Sequence, residues 1–158
     1  MNYRLIFSML TVFLFLPIAA IAKSDKPLQY DIEAAGSGVQ GTYLVRVWVY
    51  SKSGKVSDED IKKAAVHGVI FRGFNGGQGS PSQRPIATST TLEEEKAEYF
   101  KAFFSSAYLQ YANIVSGSYQ RMKAAKEYKV GAIVQVNKDN LRRELEQAGI
   151  VKGLSNGF

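Results

Sequence analysis

Between Thr42 and Ser51 the chain alternates with a period of two. Tyr43, Val45, Val47 and Val49 project to one side, and Leu44, Arg46, Trp48 and Tyr50 to the other. That period in β-branched and aromatic residues is the mark of a strand with one buried face. An aliphatic face of this kind needs a covering layer, and the strand's backbone groups need neighbouring strands. The chain is thereby committed to a sheet with something packed on its valine side. Gly36 to Gly41 supplies a turn, which makes the preceding segment, Tyr30 to Ala35, the other arm of a hairpin.

Helical signals follow. Ser57 stands before Asp58, Glu59 and Asp60, a capping side chain ahead of acids that suit the positive end of a helix dipole. Ile61, Ala64, Ala65 and Gly68 then share one face. Val69 to Phe74 is short, branched and aromatic and predicts a strand, with Asn75 to Pro85 as loop. Thr90 or Thr91 caps a second helix as a capping box, and Leu92, Tyr99, Phe100, Phe103 and Ala107 form its apolar stripe. Tyr108 to Val115 fits either helix or strand, and the ambiguity extends to residue 127. Ser116 to Ser118 is a turn, and Tyr119 to Ala124 with Tyr128 to Val136 predicts a hairpin. A last helix starts at Asn137 or Asp139 and buries Leu141, Leu145 and Ala148. Gly149 and Ile150 give it a Schellman stop.

Strand runs adjacent at each end, with helices between and after them, predict an α+β fold: a mostly antiparallel sheet with two or three helices packed on one face. The expected organisation is a signal peptide over 1–22, a flexible mature N-terminus over 23–29, one domain over 30–150 and a tail over 151–158. The signal peptide rests on Arg4, the apolar run Leu5 to Leu16, Pro17 and the small-x-small site Ala20-Ile21-Ala22. Its apolar core is short for a membrane span. No second long apolar run follows, so no transmembrane segment is expected after cleavage, and the location is periplasmic or secreted.

The sequence contains no cysteine. Thiol catalysis and thiolate metal sites are therefore excluded, and an exported domain must be held by packing alone. The formal charge is +6, but the basic residues are dispersed rather than gathered on one stripe. No nucleic-acid partner is expected from that distribution.

His67 is the single histidine. On a helical wheel it lies beside Lys63, off the apolar stripe, near the expected end of its helix, where it favours the negative pole of the dipole. No second histidine and no G-x-S-x-G elbow accompany it. The glycine-rich stretch Gly73 to Ser80 lacks the lysine of a phosphate loop and leads into Pro81 rather than a helix. It reads as a connector, with Phe74, Asn75, Gln78 and Arg84 as candidate ligand or partner contacts. The acids at 58–60 and 93–95 are accounted for by helix starts. No catalytic residue, cofactor or metal ligand is assigned. Arg46, Trp48 and Tyr50 share the strand face opposite the valines and are the residue types that concentrate at interface hot spots. They are the candidate partner-binding residues.

The stretches Tyr30-Asp31-Ile32-Glu33-Ala34-Ala35-Gly36 and Ala64 to Phe74, with Tyr128 through Ile150, resemble small exported Bacteroidetes proteins of unknown function. At a looser level the order of elements is similar to α+β modules of envelope-assembly proteins. Examples are the N-terminal domain of the Tol–Pal periplasmic protein and the curli-secretion lipoproteins. The resemblance implies an envelope setting and transfers no site residue. The expected function is a non-enzymatic envelope protein that contacts another envelope protein or itself. The alternative is a small-ligand or glycan-binding module using the 75–85 loop.

Overall fold

The valine strand is the centre of the sheet. In the computed structural model, which describes residues 27–77 and 79–153, β2 (Tyr43–Ser51) lies between β1 (Tyr30–Gly36) and β5 (Glu127–Val136), antiparallel to both. The other edge of β5 carries two short strands. β3 (Ala112–Ile114) pairs with Val134–Val136, and β4 (Gln120–Ala124) pairs with Glu127–Gly131. The result is a five-stranded antiparallel sheet with four helices, an α+β fold. The expected signal peptide, residues 23–26, Gln78 and residues 154–158 lie outside the described residues.

Register follows from burial. Val45, Val47 and Val49 face Val134, Ala132 and Val130 across the β2–β5 ladder, and Ala34, Ile32 and Tyr30 across the β1–β2 ladder. A slip of one residue would turn this whole set to solvent. α1 (Asp58–His67) covers the face with Ile61, Ala64, Ala65 and Val66, all fully buried. Ser57 caps it as expected: its Oγ accepts from Asp60 N–H, and Asp60 Oδ2 accepts from Ser57 N–H. Gly68 lets the helix sit close on β1, since a Cβ there would come within 2.7 Å of Ile32 Cδ1.

Of Val69 to Phe74, expected as a strand, Val69 to Arg72 instead prolong α1, and only Phe74 makes a β-bridge, to Gln83. Gly68–Arg72 forms one wider π-type turn, closed by a bond from Gly73 N–H to the Gly68 carbonyl. Val69 and Ile70 are buried there; demand for apolar cover outweighs their strand preference. The described residues of the 75–85 loop form a ribbon of backbone bridges. Phe74 and Gln83 exchange backbone hydrogen bonds, as do Gly77 and Ser80, and Ala34 N–H donates to the Asn75 carbonyl, tying the ribbon to β1.

The second helical segment is two short helices, α2 (Leu92–Glu95) and α3 (Ala97–Phe103), broken at Lys96. No backbone-directed capping box forms: Thr91 Oγ1 donates to the Glu95 carboxylate. Leu92, Phe100 and Phe103 are buried, but Ala107 is exposed. The ambiguous stretch after it is both things in turn, a single 3-10 turn over Ala107–Tyr111 and then β3. α4 (Lys138–Gln147) is capped by Asn137, whose Oδ1 accepts from Asn140 N–H. Leu141 and Leu145 are buried and Ala148 is exposed, which corrects the expected stripe. The Schellman stop is present: Ile150 N–H donates to Leu145 O, Gly149 N–H donates to Glu146 O, and Gly149 has φ 67°. Of the ends, Leu28 and Val151 pack against the core.

Candidate functional site

Extending α1 by the π-turn changes the surroundings of His67. The helix does not end there, so the imidazole is not a cap on a negative dipole. It stands where β1, α1 and α2 meet. Tyr30 Oη lies 2.6 Å from His67 Nδ1, and the Glu93 carboxylate oxygens lie 3.1 and 3.2 Å from Nε2. A carboxylate can only accept, so Nε2–H donates to Glu93 and the Tyr30 hydroxyl donates to Nδ1 of the neutral ring. Rings close the remaining sides, Phe71 at 4.9 Å and Phe104 at 5.7 Å between centroids.

The electrostatics follow from this burial. Loss of water lowers the His67 pKa, against the opposing pull of Glu93; Arg72 and Lys63 add to the lowering. Burial likewise raises the Tyr30 hydroxyl well above its ordinary range, offset in part by Arg72. The Tyr30–His67–Glu93 series looks like a relay, yet a phenol with a raised pKa is a poor nucleophile. Both imidazole nitrogens are already engaged, which leaves no free lone pair for a substrate proton or a metal. Among the described residues no group of three or more His, Asp or Glu could hold a metal ion.

The triad forms one end of a cavity of about 790 Å³. Glu59, Lys63 and His67, successive positions four apart on α1, run along one wall. Phe100, Lys101, Phe104, Tyr108 and Tyr30 also line the cavity. Lys63 Nζ lies 5.7 Å from the Phe104 ring centroid, and the Arg72 guanidinium lies 4.1 Å over Tyr30. The arrangement presents ring surfaces for an apolar body and charges of both signs around it. The spacing of Glu59, Lys63 and His67 was visible in the sequence. Tyr30 and Glu93 were not, because no local pattern joins residues 37 and 26 positions away to the histidine.

The sequence-derived candidates fall into two other places. Arg46, Trp48 and Tyr50 do share the face opposite the valines and lie half-buried outside the core. Their polar ends are tied within the sheet. Arg46 bonds Gln120 Oε1 at 3.2 Å and pairs with Glu33 at 3.7 Å, while Tyr50 donates to Asp31 at 2.6 Å. The Arg46 guanidinium lies 5.9 Å from the Trp48 ring centroid. Phe74, Asn75 and Arg84 line a second, shallower cavity of about 440 Å³ beside the ribbon. Gln78 lies outside the described residues.

Comparison of the chain with family models, with curated proteins and with solved structures finds no match. The functional reading therefore rests on the geometry.

Proposed function

We propose that the chain is an exported small-ligand-binding module whose ligand seats in the groove between α1 and α3. The observation that carries this is the cavity of about 790 Å³ around His67. Its size suits a small organic ligand, and both aromatic rings and charged side chains line it. Rings from β1, α3 and the turn after α3 suit an apolar body, and Lys63, Lys101, Glu59 and Glu93 suit ionised substituents of either sign. A binding role is favoured over catalysis because His67 spends both nitrogens on Tyr30 and Glu93. The internally bonded face of Arg46, Trp48 and Tyr50 lends less support to a protein-contact role, since its polar ends already have partners. Export rests on the apolar run and cleavage site before Lys23, and no described helix is long and apolar enough to cross a membrane.

The test is a thermal-shift screen of the purified protein against small amphipathic molecules, with Phe104→Ala and Lys63→Gln beside the parent. Ligands that bind the folded state raise Tm, by an amount that grows with the logarithm of ligand concentration above Kd. Hits that stabilise the parent and fail on both variants support the groove. Hits that shift all three proteins equally place the ligand elsewhere and sink the reading.

A further inference from the structure

The second cavity has a lining chemistry unlike that of the groove, and it does not depend on the groove being a ligand site. Arg72 and Arg84 are its two charged residues, and no carboxylate lines it. Arg84 makes no ion pair or hydrogen bond with another described residue. Arg72, which also lines the groove, spends one N–H on the Tyr30 carbonyl at 3.0 Å and stacks on the Tyr30 ring, and it forms no salt bridge with a described residue.

Two neutral polar groups at the same place each accept one hydrogen bond from within. Ser82 Oγ accepts from Gly76 N–H at 2.8 Å, which leaves its hydroxyl proton free to point elsewhere. Gln83 Oε1 accepts from the Tyr43 hydroxyl at 2.9 Å, which leaves both amide N–H groups of that side chain available. Two guanidiniums, a hydroxyl and an amide thus offer donors, beside the side-chain amide of Asn75.

The ribbon fixes the backbone that carries Ser82, Gln83 and Arg84. Phe74 and Gln83 are locked by paired backbone bonds of 3.0 and 2.9 Å. Tyr43 packs edge-on against Phe74 at 5.2 Å between centroids. A preformed donor set avoids the cost of ordering a loop on binding, and guanidiniums match the oxygens of phosphate and sulfate bidentately.

We propose that Arg72 and Arg84, with Ser82 and Gln83, form a binding site for a tetrahedral oxyanion, a phosphate or sulfate group. The group reaches the site either on a free small molecule or on a lipid headgroup, and the experiment separates the two. The purified chain is titrated calorimetrically with inorganic phosphate at fixed ionic strength. In parallel it is sedimented with vesicles of phosphatidylcholine containing one-fifth phosphatidylglycerol. Arg84→Gln, an exposed position with no partner among the described residues, is the main variant. Lys126→Gln, in the β4–β5 turn, removes an equal charge far from the cavity, and Phe104→Ala alters only the groove.

Saturable phosphate binding that falls at least tenfold in Arg84→Gln and persists in Lys126→Gln and Phe104→Ala supports the site with a free anion. Vesicle binding lost in Arg84→Gln and kept in Lys126→Gln, without binding of free phosphate, supports the site with a headgroup. Equal losses in Arg84→Gln and Lys126→Gln would reduce the effect to overall charge and overturn the proposal. So would the absence of both kinds of binding in the parent. Failure of the groove screen leaves these readings untouched, and the Phe104→Ala arm keeps the two sites distinguishable.

Discussion

The indole of Trp48 occupies the space above Gly131, its direct partner across the β2–β5 ladder. A Cβ built on Gly131 would lie 2.7 Å from Trp48 Cε3 and 3.0 Å from Cδ2. The missing side chain on one strand is the seat of the large ring on the next. It explains how the chain's one tryptophan, on the face away from the helices, is half-buried without a second layer of core.

Gly131→Ala should therefore push the indole off its seat, and the Val47 carbonyl also stands in the way of the new methyl. Overpacking of this kind costs about 1–3 kcal/mol. Because Trp48 is the single tryptophan, its emission should shift to the red in the folded variant. Unchanged emission together with an unchanged urea midpoint would mean that the ring does not rest on Gly131.

His67 makes a prediction with a definite sign. Burial lowers its folded pKa below the ordinary 6.5. As pH falls through 6.5 the unfolded chain takes up a proton before the folded chain does, so the histidine's contribution to stability is lost from there down to its folded pKa. Above 6.5 the contribution is constant. His67→Gln should flatten the fall in urea midpoint between pH 7.5 and 5.5, leaving only the carboxylates' share. Tyr30→Phe should cost about 1 kcal/mol at neutral pH by removing the 2.6 Å hydrogen bond. Parallel pH curves for parent and His67→Gln would refute the buried, neutral imidazole.

Ser57 tests the local logic of α1. Its Oγ accepts from Asp60 N–H at 3.2 Å, and its own N–H donates to Asp60 Oδ2 at 3.3 Å. Ser57→Ala should cost about 1 kcal/mol, and Ser57→Thr much less, because a threonine hydroxyl can still accept from the helix N-terminus and donate to Asp60. Equal losses in the two variants, read from denaturant midpoints, would point to packing rather than capping.

What was legible in the sequence was what local periodicity and caps encode. β1, β2, the Ser57 start, the hairpin around Ala125 and Lys126 and the Gly149 stop all came from residues within a few positions of one another. Val69 to Phe74 misled because a branched run reads the same whether it is buried in a strand or against a sheet from a helix. Tertiary cover decided it, with Val69 and Ile70 buried. Tyr30, His67 and Glu93 escaped for a related reason. Each has a satisfactory local account, as strand start, helix residue and helix-start acid, and only the packing of three elements brings them within hydrogen-bond distance. The Arg72–Arg84 cavity was half visible: Arg84 lay in the suspected loop, whereas Arg72 was hidden in the segment expected as strand.

Gly149 offers the sharpest separation of backbone strain from crowding. Its φ of 67° lies in the left-handed region. A Cβ there would meet nothing within 4 Å, so any cost of substitution belongs to the backbone alone. The conformation is what lets Ile150 N–H reach the Leu145 carbonyl at 2.8 Å and turns Ile150 back to a buried position on the core. Gly149→Val should lose about 1–2 kcal/mol, the penalty of the left-handed region for a side chain. Being β-branched, valine should fall at the upper end. Gly149→Asn should lose less, because asparagine tolerates that region. The two variants are compared with the parent by urea denaturation at constant slope. The order parent, then Asn, then Val is required; a valine variant as stable as the parent would show that α4 stops by some means other than this turn.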